Sequence, residues 1–373
     1  MVTEAVQFKS FIGVDLHKCT VTLRAVDREG KPLNGLTCST KCLHKIHEWL
    51  LPLPRPSWMA IEACPFAEWF IDEYRGDVDR TDIADATELS RRRGKRRKND
   101  PKDAGDIAVR LARGECPLGW IADEDTLRLR KLGRHWCQLS RLLAQAKTMM
   151  RFILLSRNVR GPQLDGASAQ KWLLAHGHLL RDESHLAFAN FVDFINVLER
   201  QREQLRRRII LANRSKRFAQ LMAIVKSVPG IDEIWACIIV AEIGDFGRFP
   251  NGDTIEFWSG LTADNRLSAG KSRAGHITKA GSKTLRWALC CAARCLARHD
   301  RREKDIRLRI LKNCGGKKAK AKANTAMGRR LLRILFAMVR DGTGYQNAEP
   351  TNHLANANRA RRQKRQALVT ATE

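Results

Sequence analysis

The sequence has no apolar run near the roughly 20 residues that a membrane-spanning helix needs, and no basic start followed by an apolar stretch and a small-residue cleavage site. The first absence argues against a membrane-embedded protein, and the second argues against export. The 11 cysteines are odd in number and scattered without a framework, which speaks against a disulfide scaffold and for a reducing compartment. There are no internal repeats. The largest deficit is in negative charge: 40 Asp+Glu face 68 Lys+Arg, leaving a net charge of +28. With 43% hydrophobic residues the chain can still build real cores, so it is not a basic disordered tail. Its 373 residues suit two or three domains.

The charge is unevenly placed. Residues 1–90 hold 14 acids and 10 bases, a net of −4, so the remaining residues carry +32. A basic excess of that size calls for a polyanionic partner, most simply nucleic acid. Seven bases in eight positions, Arg91, Arg92, Arg93, Lys95, Arg96, Arg97 and Lys98, read as a solvated nucleic-acid-binding segment.

The first segment reads as α/β with a mixed sheet. Phe11–Asp15 and Trp58–Glu62 are short apolar strands, each ending on a carboxylate; Cys19–Val26 and Leu33–Cys38 are two more strands. A short helix presents Ile46, Trp49 and Leu50, and Pro65 opens another through about Tyr74. Asp100 caps a helix with Pro101 at its first position. From about Asp125 to Arg157, Leu132, Trp136, Leu139, Leu143, Ala146, Met150 and Ile153 form a heptad stripe. A second long helix is expected over Ser184–Ile224, with Phe194, Leu198, Leu205 and Ile209 on one face and Arg200, Arg202 and Arg206–Arg208 on the other. The pair suggests a coiled-coil arm. Val228-Pro-Gly-Ile231 before Trp235–Ile243 reads as a helix-hairpin-helix element, whose backbone N–H groups grip phosphate. After it come helices at Ile255–Leu261, Ser282–Arg298 and Arg329–Val339. Between them lie a Gly/Ser-rich turn over Arg266–Gly275 and a flexible lysine-rich stretch at Gly315–Lys322. The tail from Thr343 is expected to be disordered without a polyanion.

Four acids stand out. Asp15 and Glu62 end strands, while Asp100 and Asp103 start a helix three residues apart, with Asp106 a further step of three and a substitute for either. Converging carboxylates are what a two-metal phosphodiester site requires: Mg²⁺ takes oxygen ligands, and paired ions stabilise attacking and leaving oxygens. Each acid also has a plainer use, as an N-cap or as a first-turn acid suited to the helix dipole. His17 stands close enough in sequence to line the same site. Cys38, Cys42, His44 and His47 approach zinc spacing but lack a matching second pair, and Cys290, Cys291 and Cys295 read as core.

Gly13-Val-Asp-Leu-His-Lys18, Ile61-Glu-Ala63 and Asp100-Pro-Lys-Asp-Ala104 resemble the acidic motifs of the DEDD-type insertion-sequence transposases, the bridge-RNA-guided serine recombinases similar to pilin-gene DNA invertases. Val228-Pro-Gly-Ile231, Ala241-Glu-Ile-Gly-Asp245, Arg248-Phe249, Gly260-Leu261, Ser268-Ala-Gly-Lys271, Gly275-His-Ile-Thr-Lys279, Gly281 and Leu285-Arg286 follow the family's order, so the resemblance spans about residues 10–300. It implies an RNase H-like, RuvC-type metal-binding domain (8–118), a coiled-coil arm (119–222), a mostly helical transposase domain (223–342) and a basic tail (343–373). Asp15, Glu62, Asp100 and Asp103 would be the ligands of Mg²⁺, two ions by expectation, with Mn²⁺ as a substitute. Ser268 would attack DNA and become covalently joined to it, with Ser272 as the alternative because Ser268-Ala269-Gly270 departs from the family's Ser-Gly-Gly. Arg266, Lys271, Arg273 and Lys279 would hold phosphate. The partners implied are donor and target DNA, a structured guide RNA and further copies of the chain, as a dimer or tetramer. The location implied is the bacterial or archaeal cytoplasm at the nucleoid. Two other readings remain open on the residues alone: a RuvC-like nuclease that hydrolyses junctions with water, and a non-catalytic nucleic-acid-binding protein.

Overall fold

A computed structural model describes residues 7–86, 88–89, 100–213, 216–268, 271–316 and 318–346, and only the backbone at 100–101, 216–217, 264–268 and 271–275. The basic run 91–98 and the tail beyond 346 lie outside the described residues. The chain falls into two compact units, Met1–Ala122 and Asp123–Glu373. All 11 cysteines are free thiols, and no helix among the described residues is long and apolar enough to cross a membrane.

The first unit is a six-stranded mixed sheet in the order β3-β2-β1-β4-β5-β6. Its strands are β1 (Ser10–Leu16), β2 (Thr20–Val26), β3 (Pro32–Ser39), β4 (Ser57–Glu62), β5 (Arg80–Ala84) and β6 (Leu118–Gly119). β1 is antiparallel to β2 and parallel to β4, and β4 is parallel to β5. Alternation along β1 and β4 divides the side chains between two cores. Ile12, Val14, Met59 and Ile61 pack with α1 (Leu43–Leu50) and α2 (Ala67–Tyr74). Phe11, Trp58 and Ala60 pack on the other face against Ile107, Ala108 and Leu111 of α3 (Asp100–Ala112). The sequence reading found the mixed sheet but not β5 or β6, and α2 starts after Pro65 rather than on it.

The second unit is mostly helical. α4 (Glu124–Ser156) begins at an Asp123 cap and buries Leu139, Leu143, Ala146 and Met150 of the expected stripe. After α5 (Gly166–His176) the chain returns in α6 (Asp182–Ala212). The two long helices run antiparallel: Lys147 pairs with Glu199 at 3.1 Å, and the Arg157 guanidinium donates to Ser184. The expected single helix over 184–224 is two, α6 and α7 (Lys216–Lys226). Phe194 is 42% exposed, because the buried stripe of α6 runs through Val192, Ile195 and Leu198 instead. α8 (Glu233–Ile243) is apolar except for Glu233 and Glu242 and contributes Ala236–Ala241 and Ile243 to the core. The turn before it needs glycine: Gly230 has φ +87°, and a Cβ there would stand 2.5 Å from Cys295 Cβ.

Further on lie α9 (Gly252–Ser259), strands β7 (Ala263–Ser268) and β8 (Lys271–Ile277), α10 (Lys283–His299), α11 (Arg301–Cys314) and α12 (Ala319–Asp341). Here three expectations are corrected. Arg266–Gly275 is a β-hairpin, not a turn. α11 stands where no helix was expected, and α12 begins ten residues before Arg329, within the stretch read as flexible.

One ion pair ties α4 to α8. Glu242, 2% exposed, accepts from Arg134 at 2.7 and 2.9 Å, and Arg130 donates to the Ala241 carbonyl at 2.9 Å. Breaking a buried pair strands a charge. Arg134→Ala is therefore expected to lower stability by about 3 kcal/mol, the low end for such pairs because the arginine is half exposed. Urea unfolding checks this, and a loss below about 0.5 kcal/mol contradicts it.

Candidate functional site

The sheet pattern puts two acids, Asp15 and Glu62, on one face. Residues 11, 13 and 15 of β1 and 58, 60 and 62 of β4 alternate onto the side covered by α3. The register Val14↔Ile61 places Asp15 and Glu62 side by side, at the carboxyl ends of adjacent parallel strands. Gly13 lets α3 approach: a Cβ on it would lie 2.0 Å from the Ala104 carbonyl oxygen and 2.7 Å from the Ala108 nitrogen. Asp103, next to Ala104, is 2% exposed, and Asp15 is 4% exposed. Gly13→Ala is expected to push α3 off β1 at a cost of at least about 3 kcal/mol, visible as a lowered melting temperature. An unchanged melting temperature would show that this approach is not needed.

Asp100 starts α3, and only its backbone is described. Asp106 is exposed, so it does not join the others. His17 Nε2 lies 3.5 Å from Asp15 Oδ2, which puts this histidine at the site's rim. Sequence reasoning missed Cys64. Burial raises its thiol pKa, N–H groups of Phe66 and Ala67 oppose that, and the charges of Glu62 and Asp15 raise it further. The thiol therefore sits within the field of both carboxylates and is held in its neutral form. Its position two residues after Glu62 was the available signal.

Carboxylate oxygens suit a hard cation such as Mg²⁺, and burying Asp15 and Asp103 on an apolar face is costly unless a cation or donor meets them. Among the described residues, no three His, Cys, Asp or Glu side chains are grouped closely enough to hold a metal ion. His47 of the cysteine–histidine cluster is bound by Asp77 and packs against Tyr74, with the rings tilted by 51°.

In the second unit the serine sits on the β7–β8 hairpin. Ser268 ends β7 and is paired with Lys271; Leu267 pairs with Ser272 and Arg266 with Arg273. This register places positions 266, 268, 271 and 273 on one face of the hairpin and 267 and 272 on the other. Ser268 therefore shares a face with three bases, and Ser272 does not. Positions 266 and 273 are directly opposite in the backbone register. Lys279 is exposed at the hairpin's base, with φ 57°, and its N–H bonds to the Gly260 carbonyl.

Residues 222–307, from α7 into α11 and including the hairpin, match the family model described as Transposase IS116/IS110/IS902 family. A putative transposase y4pF/y4sB of Sinorhizobium fredii is 25% identical over 360 residues, covering 91% of this chain and 86% of its own. A probable family 20 transposase of Pseudomonas aeruginosa is 25% identical over 343 residues, covering 90% of this chain and 98% of its own. Over residues 222–307 the chain is similar to the IS116/IS110/IS902 transposases. An uncharacterized 43.6 kDa protein of insertion element IS110 from Streptomyces coelicolor is 25% identical over 134 residues, covering 35% of this chain and 31% of its own. At 90–91% of this chain, the likeness to the first two transposases includes parts of both units. A transposase cuts and rejoins DNA, and the expectation of an enzyme of that class stands.

Proposed function

We propose that the protein is a transposase that excises and inserts a mobile element through a covalent serine–DNA intermediate. The register of the β7–β8 hairpin carries this reading, because it gives Ser268 a basic face suited to a phosphodiester. The Ser268 oxygen attacks phosphorus, the serine Oγ–P bond forms and a sugar P–O bond breaks. The serine proton is lost and the departing sugar oxygen gains one. Attack by another strand's hydroxyl reverses the exchange, so the bond energy is kept and no ATP is needed. Arg266, Lys271 and Arg273 hold the phosphate charge, with Lys279 nearby.

Asp15, Glu62, Asp103 and Asp100 would hold Mg²⁺, or Mn²⁺ in its place, which when bound would offset negative charge on a phosphodiester brought to them. In this reading the first unit is a RuvC-type RNase H-like domain and α4 with α6 is a coiled-coil arm. The arm's exposed Leu142, Met149 and Phe194 support self-association as a dimer or tetramer. Target choice would come from a structured guide RNA, with the protein reading shape and backbone at the nucleoid. The basic run Arg91–Lys98 would add backbone contacts.

The test is a denaturing gel of labelled DNA bearing the element's ends, incubated with protein, co-purifying RNA and Mg²⁺. A DNA–protein adduct is expected. Cleaved DNA without any adduct would make the protein a hydrolytic nuclease, and uncut DNA would make it a binding protein.

A further inference from the structure

We propose that the hairpin of α11 and α12 is a clamp for the phosphate backbone of duplex DNA. The proposal rests on the transposase reading but uses none of the residues placed in its chemistry. α11 has a narrow inner face: Glu303 is buried, and Ile306 and Ile310 pack on the helical core. The α11–α12 connection turns at Gly315 and Gly316, at φ +50° and +68°. Glu303 receives Arg330 of α12 at 2.8–3.0 Å, so the two helices are fixed to one another. Asp300 caps α11 through the Glu303 N–H and accepts the Tyr345 hydroxyl at 2.7 Å, which anchors the hairpin at its other end.

The outer side has a different composition. Arg302 and Arg309 are exposed along α11, Lys312 is exposed in its last turn, and Lys318, Lys320 and Lys322 are exposed around the start of α12. None of these six is ion-paired among the described residues. The arginines that fix the fold nearby, Arg330 and Arg333, all have carboxylate partners. Lysines at the start of a helix oppose its dipole, where carboxylates are the stable choice. This charge therefore costs stability in the free protein and has no packing role. A polyanion recovers that cost. Spread along a rigid helix and its turn rather than gathered in one pocket, the bases suit a run of successive phosphates.

The test compares wild type with the Lys312→Gln, Lys318→Gln, Lys320→Gln, Lys322→Gln variant, measuring affinity for a short duplex and, separately, for a structured RNA across a salt series. Circular dichroism confirms folding, and the four Lys→Arg changes serve as the charge-keeping control. Each lost phosphate contact removes about 0.9 from the slope of log affinity against log salt. The slope for duplex is expected to fall by about 2–4, with affinity at least about tenfold weaker at 0.15 M salt and the arginine control near wild type. Unchanged duplex binding overturns the clamp and leaves the transposase reading intact. A loss confined to RNA also overturns it, since the surface would then serve RNA. If wild type binds no duplex, the transposase reading falls and the clamp with it.

Discussion

Ser268→Ala is expected to abolish the DNA–protein adduct and to lower strand exchange at least about 10³-fold, with DNA affinity changed little. Alanine keeps the backbone and removes only the attacking oxygen. Deleting a nucleophile typically removes nearly all the chemistry while leaving binding contacts in place. Ser272→Ala is the paired control. Position 272 lies on the hairpin face without Arg266, Lys271 and Arg273, so its loss should cost less than about tenfold. Normal exchange by Ser268→Ala with loss in Ser272→Ala would reverse the assignment, and normal exchange in both would remove the covalent mechanism. Single-turnover assays with labelled duplex give these rates.

Asp15→Asn is the second large effect, expected to reduce cleavage at least about 10³-fold with duplex binding unchanged. The substitution keeps shape and removes charge, so packing around β1 survives. Asp15 is 4% exposed, beside Glu62 on the next strand and on the face covered by the Asp103 helix. If these acids hold a divalent cation, the wild-type melting temperature should rise with added Mg²⁺, since a ligand stabilises by RT ln(1 + [L]/Kd). Asp15→Asn should lose that rise and, freed from carboxylate repulsion, should melt no lower than wild type without metal. Full cleavage by Asp15→Asn, or a Mg²⁺-dependent rise equal to that of wild type, would exclude a metal site at this position.

The carboxylate face was legible because acids at the ends of apolar strands contradict their surroundings. Asp15 and Glu62 could be picked out one by one, and so could Asp103 three residues into a Pro-started helix. What lets α3 approach β1 is Gly13, whose missing side chain leaves room for the Ala104 and Ala108 backbone, and no local pattern reveals such an approach. β5 escaped because its residues satisfy tertiary partners rather than an alternating pattern. Asp82 accepts from Trp58 Nε1 at 2.7 Å and from Arg80 at the same distance. The β7–β8 hairpin escaped because two strands without an apolar alternation look like a Gly/Ser-rich turn. α11 escaped because Glu303 is its one fully buried residue, so charge hid its periodicity. Phe194 was misplaced because residues 194 and 195 both continue a stripe through Leu198, and packing chose Ile195.

Ser268 is expected to carry the DNA. The most direct measurement is mass spectrometry of the wild-type adduct after exhaustive nuclease and protease digestion. A nucleotide mass on the peptide that holds Ser268, and on no other, is the predicted result. A nucleotide on the peptide of Ser272 or on any other residue would contradict it, as would cleavage that leaves every peptide unmodified.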